Sequence, residues 1–242
     1  MATQEICRVI GNGEVGAGLF ALTMEAPVLC LQAQPGQFVH ITCGEGNLLR
    51  RPISICNVEG DKMTLVFQVK GAGTKWLAGR RAGDLLDVLG TLGHGFRMQE
   101  LGARPIFVGG GIGVPPLLIT MRAAREMGAQ PAAILGFRSR PAVILEDAFR
   151  TVGETYVCTD DGSYGQHGFV TDVLKTQIAG ATAHAARGGP DRRGTGCALP
   201  GVHGGAHGLR HRRMPGLCLR AQAQGRARRR AVWPCLQGWP GI

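Results

Sequence analysis

Long apolar runs are missing from this 242-residue chain: no stretch approaches the roughly eighteen consecutive apolar residues of a membrane span. The start, Met1-Ala-Thr-Gln-Glu-Ile6, lacks the basic cap and apolar centre of a secretory leader, so a cytoplasmic protein with no membrane partner is expected. The eight cysteines, Cys7, Cys30, Cys43, Cys56, Cys158, Cys197, Cys218 and Cys235, contain no Cys-x-x-Cys pair. That absence argues against a zinc site, and a reducing compartment argues against a disulfide framework. What is left is a chain long enough for two modest domains, each with a core of its own.

A net charge of +10 suggests at first a phosphate-rich or acidic partner. Residues 1–180, however, hold 16 basic and 16 acidic side chains, so the whole excess lies in residues 181–242. That tail has eleven Arg, a single acid (Asp191), and no Lys, Glu, Ser, Phe, Tyr or Asn. Arg, Gly, Ala and Pro fill 38 of its 62 positions, a composition that cannot pattern a packed core. With two Trp and no repeated aromatic platform it is also a poor surface for stacking bases, so nucleic acid is not the expected partner.

From residue 5 to about 98 the chain reads as short β runs broken by turn residues: Glu5–Ile10, Leu19–Met24, Phe38–Thr42, Arg51–Val58, Met63–Val69 and Leu85–Leu89. The spacing predicts an antiparallel β-barrel with no helix beyond a turn at Thr74–Ala78. From residue 104 the rhythm becomes strand Pro105–Val108, helix Val114–Met127, strand Ala132–Phe137, helix Val143–Phe149, strand Thr155–Thr159 and helix Val170–Ile178. That alternation predicts a Rossmann-like parallel α/β layer, with the boundary between Gln99 and Arg104.

Three segments carry chemistry. In Arg50-Arg51-Pro52-Ile53-Ser54, followed by Gly71-Ala-Gly73-Thr74, a guanidinium can fork onto a phosphate and a hydroxyl can reach a ring nitrogen. The glycines before Thr74 let backbone amides approach an anion; the plainer reading is a strand with a surface arginine and a turn. In the second segment, Gly109, Gly110, Gly111 and Gly113 lie between a buried strand and a helix opened by Pro115, which suits a pyrophosphate. In the third, Asp160, Asp161 and Gly162 follow a parallel strand at the edge where ligands of open α/β sheets collect. Those carboxylates either accept bonds from ribose or amide groups or simply form a solvated turn.

Taken in order and spacing, Gly36-Gln-Phe-Val-His40, Leu49-Arg-Arg-Pro-Ile-Ser54, Gly71-Ala-Gly-Thr74, Gly109-Gly-Gly-Ile-Gly-Val-Pro-Pro-Leu-Leu118 and Thr159-Asp-Asp-Gly-Ser-Tyr-Gly165 resemble one family. It is the electron transfer subunits of dihydroorotate dehydrogenase B, within the ferredoxin reductase superfamily, and the resemblance covers residues 5 to about 178. It implies an FAD-binding β-barrel at 1–100, an incomplete NAD-binding α/β domain at 101–180, and at 181–242 an irregular tail where a [2Fe-2S] domain is expected. FAD contacts carried over by motif are Arg51, Pro52, Ile53, Ser54, Val66, Phe67, Gln68, Gly73 and Thr74. NAD contacts are Gly109, Gly110, Gly111, Gly113, Asp160, Asp161 and Gly162. The implied role is in pyrimidine biosynthesis: electrons pass from the FMN of a catalytic partner subunit, in a hetero-oligomer, through the cluster and FAD to NAD.

The family's Cys-Gly-Pro segment and Cys-x4-Cys-x2-Cys cluster motif are both missing; Cys197, Cys218 and Cys235 have no cluster spacing. The plainer reading of the tail is a disordered basic extension; the sharper one is translation out of frame, with the slip between about residues 180 and 199. Reading the last two bases of each codon with the first of the next, Met214-Pro215 must give Cys and Trp239-Pro240 must give Gly. In that register, residues 202–218 permit S-M-E-E-R-M-A-C-G-I-G-E-C-R-A-C, which has the family's spacing. Residues 235–242 permit V-C-K-D-G-P-V-F, which resembles the segment around the fourth cysteine. No cluster ligands are therefore expected in the chain as written. A related NAD(P)H-linked subunit, of the sulfide dehydrogenase or ferredoxin:NADP oxidoreductase type, shares this plan; Arg138 and Arg140, after the second α/β strand, either grip a 2′-phosphate or form a solvated loop.

Overall fold

The computed structural model describes residues 2–44, 46, 48–177 and the short strand 217–219. Expectations for the rest of 181–242, the frame-shifted cysteines included, lie outside the described residues.

Six antiparallel strands close a barrel: β1 (Thr3–Gly16), β2 (Leu19–Glu25), β3 (Phe38–Ile41), β4 (Arg51–Glu59), β5 (Lys62–Gln68) and β6 (Leu85–Leu92), in the order β1-β2-β5-β4-β3-β6. Alternation along the strands sends Leu22, Met24, Ile53, Ile55, Leu65 and Phe67 into one core. β1 is longer than its apolar pattern indicates. Its pairing with β2 shifts register at Val9/Gly11 and again at Glu14/Gly16, bulges that let a glycine-rich segment stay in the sheet.

Two helices interrupt the barrel. α1 (Pro27–Gln32) is a correction to the helix-free expectation. Its first turn is capped from another strand, the Glu5 carboxylate accepting from Val28 N at 3.2 Å and Leu29 N at 3.0 Å. A cap from so far along the chain leaves no local sequence signal. α2 (Ala72–Ala78) replaces the expected turn.

The second layer is a sheet ordered β10-β9-β8-β7-β11, built from β7 (Ile106–Gly110), β8 (Ala132–Phe137), β9 (Glu154–Thr159), β10 (Gln166–His167) and β11 (Leu217–Leu219). β7, β8, β9 and β10 run parallel. One face packs on α3 (Pro115–Glu126) and α4 (Glu146–Val152) through Phe107, Ala133, Leu135 and Val157. The other face, Val108, Ile134 and Cys158, lies under α5 (170–177) through Val173 and Leu174. Gly136 is required at that contact, because a Cβ there would fall 2.4 Å from Val170 Cγ1.

Two expectations are corrected in this layer. The helix expected at Val143–Phe149 starts at Glu146 instead: Pro141 sets a tight turn at Arg140–Ala142, and Leu145 takes φ 61° just before the helix. Glu146 and Asp147 then sit in the first turn, where the helix dipole favours them. The layer was also expected to lack its last strand, yet Leu217–Leu219 pairs antiparallel with Ile106–Val108.

Leu19, Cys56 and Val66 of the barrel share a cluster with Val114, just before α3, and Leu117, Leu118 and Met121 of α3, so barrel and α/β layer meet across an apolar seam. No helix among the described residues is long and apolar enough to cross a membrane.

One half-buried group should give the fold a pH dependence. His40 on β3 is held below its ordinary pKa by burial and by the nearby Arg50 charge, and its Nε2 is buried without a partner. Lowering the folded pKa means that the unfolded chain binds the proton more tightly. Stability is therefore full above the ordinary value of 6.5 and falls as pH drops below it. Thermal unfolding across this range should show the slope, and His40→Gln should flatten it. A slope unchanged in His40→Gln would refute this assignment. Asp87 and Glu59, whose pKa values lie below 3.8 and 4.5, act only at lower pH.

Candidate cofactor site

The outer face of β4 and β5 is where the first set of expected residues comes together. Ile55 pairs with Leu65, both pointing into the barrel, so the neighbours Ser54 and Val66 share the outer face. Val66 is buried in the seam, Ser54 is half-buried, and Phe38 of β3 stands opposite Ser54. Ile53 and Phe67 face the barrel core, so they shape this surface from behind. Pro52 and Gln68 are exposed at its rim.

The two adjacent arginines have different partners. Arg50 Nη2 lies 2.6 Å from Asp87 Oδ2, and Asp87 also accepts from Gln4 and Thr42. Burial raises the Asp87 pKa, but these donors outweigh it and hold the carboxyl below its ordinary value. Arg50 is thus a structural member of the barrel wall. Arg51 instead lies over Gly73, where a Cβ would fall 2.4 Å from its Nε, and its Nη1 donates to Leu49 O at 3.1 Å. Thr74 shapes the same corner: its hydroxyl accepts from Lys70 N (2.9 Å) and Gly71 N (3.1 Å), drawing the loop into a collar. By position, the amides of Ala72, Gly73 and Thr74 in the first turn of α2 have no acceptor within the helix.

The second set lies along the carboxyl edge of the parallel strands. Gly109 and Gly110 end β7, and Gly111 to Gly113 form a single 3-10 turn before α3. A Cβ on Gly109 would fall 2.6 Å from Leu117 Cδ1 and 3.3 Å from Gly113 O, so glycine lets Leu117 and the turn pack directly on the strand. Gly111 has φ +53°, and Gly111–Gly113 lies beside both β5 and β8. The structure thus sets this turn next to the Ser54/Val66 face.

Asp160 and Asp161 follow β9 in a turn in which Gly162 takes φ +69°. Asp161 Oδ1 accepts from Ser163 N (2.9 Å) and Ser163 Oγ (2.6 Å), which holds its carboxyl below the ordinary range. Asp160 is exposed. Arg138 is exposed after β8, while the Arg140 guanidinium sits 5.6 Å from the Tyr164 ring centroid and Tyr164 bonds Glu146. The Asp87 and Ser163 partnerships were not legible in the sequence. Asp87 lies far along the chain from Arg50, and an Asp two residues before a Ser is too common to single out.

Cys7, Cys30 and Cys43 lie in the barrel core, and Cys56 and Cys158 in separate clusters of the seam and the α/β layer. Burial pushes the thiols of Cys7 and Cys56 up to about 12 and those of Cys30 and Cys158 up to about 11, and raises that of Cys43. No group of three or more His, Cys, Asp or Glu able to hold a metal occurs among the described residues.

Among curated proteins, the chain is 45% identical over 172 residues to the dihydroorotate dehydrogenase B (NAD(+)), electron transfer subunit of Bacillus mycoides (strain KBAB4). That alignment covers 69% of this chain and 66% of that protein. The subunit of the same name from Bacillus cereus (strain B4264) is 44% identical over the same length and coverage. Among solved structures, an NADH-dependent reduced ferredoxin-NADP oxidoreductase matches with TM-score 0.65 and 27% identity, over 72% of this chain and 63% of that one. The chain has the fold of the ferredoxin reductases. Its fold is shared with the ferredoxin reductase in carbazole 1,9a-dioxygenase at TM-score 0.62 and 19% identity, over 78% of this chain and 67% of that one. No protein-family model matches the chain. The chain spans just under two thirds of the length of the curated electron transfer subunits it matches.

Proposed function

We propose that this chain is the FAD- and NAD-binding part of a dihydroorotate dehydrogenase B electron transfer subunit. The observation that carries the reading is the meeting of two sites on one surface: the Arg51–Gly73–Thr74 corner and Ser54/Val66 face on the barrel, and the Gly111–Gly113 turn set beside β5. The corner suits a dinucleotide's phosphates, since the Gly73 position has no room for a side chain under Arg51. FAD bound there supplies the exchange between a hydride from NADH and single electrons for a partner.

The residues act by placement. Arg51 forks onto phosphate beside the first-turn amides of α2, and the Thr74 hydroxyl keeps the collar shaped. Ser54 would offer a hydroxyl to a ring nitrogen of the flavin and Val66 an apolar floor that excludes water, with Pro52 and Gln68 at the rim and Ile53 and Phe67 supporting the surface from the barrel core. Gly109, Gly110, Gly111 and Gly113 admit the NAD pyrophosphate at the start of α3, with Asp160, Asp161 and Gly162 at the ribose or amide end. Asp161 keeps one oxygen for Ser163, so Asp160 and the other Asp161 oxygen are the acceptors on offer.

The described cysteines do not fit a [2Fe-2S] cluster. We place the cluster ligands in the alternative reading frame of the tail, which accounts for a likeness that stops short of the relatives' full length. On this reading the intact protein works in the cytoplasm, in pyrimidine biosynthesis, as a hetero-oligomer with an FMN-containing catalytic subunit. Sequencing the DNA for residues 175–242 decides the point: a single-base slip with four cysteines in the repaired frame supports it, and a confirmed frame without them rejects it. The domain division proposed is 1–100, 101–180 and 181–242.

Anaerobic titration tests the cofactor reading. The full chain should retain FAD through gel filtration, and NADH should bleach the oxidised flavin band. Failure to retain FAD, or retention without bleaching by either NADH or NADPH, would sink the reading. Preference for NADPH would instead favour the ferredoxin:NADP type of relative. That second reading draws on Arg138 and Arg140, with no carboxylate directly after β8 to meet a ribose 2′-hydroxyl.

A further inference from the structure

The two elements that carry the candidate site run side by side across the seam: β4, with Arg51 and Ser54 near its start, and α3, which begins just after Gly111–Gly113. Beyond the site, a polar knot ties them. Arg122 Nη1 of α3 donates to Glu59 Oε1 at 2.6 Å and to Asn57 Oδ1 at 3.0 Å, while Asn57 Nδ2 donates to the same Glu59 oxygen at 2.9 Å. Asn57 is buried, whereas 65% of the Glu59 side chain and 31% of the Arg122 side chain are exposed. An exposed ion pair adds little stability by itself. A closed trio built on a buried amide does something else: it accepts only one relative position of its members. Apolar packing, which supplies the rest of this cluster, is non-directional and leaves axial register loosely specified.

We propose that Arg122 is a positioning residue that pins α3 at one axial register on β4, and so sets the Gly111–Gly113 turn against Ser54 and Val66. The inference rests on the reading of these faces as NAD and FAD sites. Slippage of α3 by one residue rise, about 1.5 Å, is large against the tolerance of a transfer between two bound cofactors.

The test uses the full chain as wild type, Arg122→Ala, Arg122→Lys and Glu59→Gln, with a readout that needs no cofactor: amide hydrogen exchange over residues 111–118. Arg122→Ala should speed exchange there while leaving the barrel strands unchanged. In the FAD-loaded protein its limiting rate of bleaching by NADH should fall on the order of tenfold, with half-saturating NADH and FAD content within about twofold of wild type. Arg122→Lys, which keeps a cation, should recover part of the loss, and Glu59→Gln should show a smaller loss. If Arg122→Ala does not fold, Glu59→Gln, altered at an exposed side chain, carries the same comparison. Unchanged exchange over 111–118, or exchange raised evenly along the chain, overturns the pin while leaving the cofactor reading standing. Local exchange that responds in a protein NADH cannot bleach overturns the cofactor reading and keeps the pin only as a structural register.

Discussion

Arg51→Ala is expected to weaken FAD binding by roughly 10- to 100-fold, because a charge-assisted bond to phosphate contributes about 1.5–3 kcal/mol. The fold should survive, since Arg51 makes one described hydrogen bond, to Leu49 O, and no ion pair among the described residues. Gly73→Ala should reproduce the loss without touching the charge. Its Cβ would fall 2.4 Å from Arg51 Nε and 3.1 Å from both Cγ and Cζ, so the guanidinium must leave the corner. Arg50→Ala is the control with the opposite signature. It breaks a part-buried pair with Asp87 and leaves that carboxylate with fewer donors, so melting temperature should fall while FAD affinity holds. Flavin fluorescence titration and thermal unfolding of the three variants separate these outcomes. An Arg51→Ala protein that binds FAD as tightly as wild type would remove the phosphate role from this corner.

Gly109→Val is expected to abolish most NADH-driven flavin reduction, on the order of 10²-fold, while FAD stays bound. The added Cβ meets Leu117 Cδ1 at 2.6 Å, Gly113 O at 3.3 Å and Val114 Cα at 3.4 Å. Leu117 must therefore repack in the seam and Gly113 O must give by a few tenths of an ångström, which disturbs the turn where the pyrophosphate would sit. Overpacking of this kind costs about 1–3 kcal/mol of stability. Gly111→Ala makes a useful contrast: nothing lies within 4 Å of its Cβ, and the penalty is the φ of +53° alone. That is about 1–2 kcal/mol of local strain with no displaced neighbour, and a smaller loss of rate. Rates from stopped-flow mixing with NADH decide the matter, and an unimpaired Gly109→Val protein would refute a pyrophosphate role for this turn.

The barrel strands were legible because their code is local. Alternation in Met63–Val69 and Leu85–Leu89 is written in the residues themselves, and the structure shifts those ends by only a few positions. The strand, glycine turn and helix around Gly109 to Leu118 were legible for the same reason. α1 was not: its cap comes from Glu5, more than twenty positions away, and no local pattern encodes that. Nor was the start of α4, where apolar Val143 and Ile144 look helical until Pro141 and the left-handed Leu145 redirect the chain.

The candidate site divides in the same way. Sequence alone determined which residue types are available: paired arginines, a hydroxyl on a strand, glycines at a helix start, and carboxylates after a strand. It also determined that residues 181–242 are a different kind of text from residues 1–180. Tertiary structure decided which of two adjacent arginines is committed to Asp87 and which lies over Gly73. It decided that Asp161 spends one oxygen on Ser163, and that Arg122 reaches back to Asn57 and Glu59 on the barrel. The physical reason is range. Periodicity and turn chemistry act over a few residues and leave a local record, whereas an ion pair, a remote cap or a close backbone approach depends on distances that exist only once the chain has closed on itself.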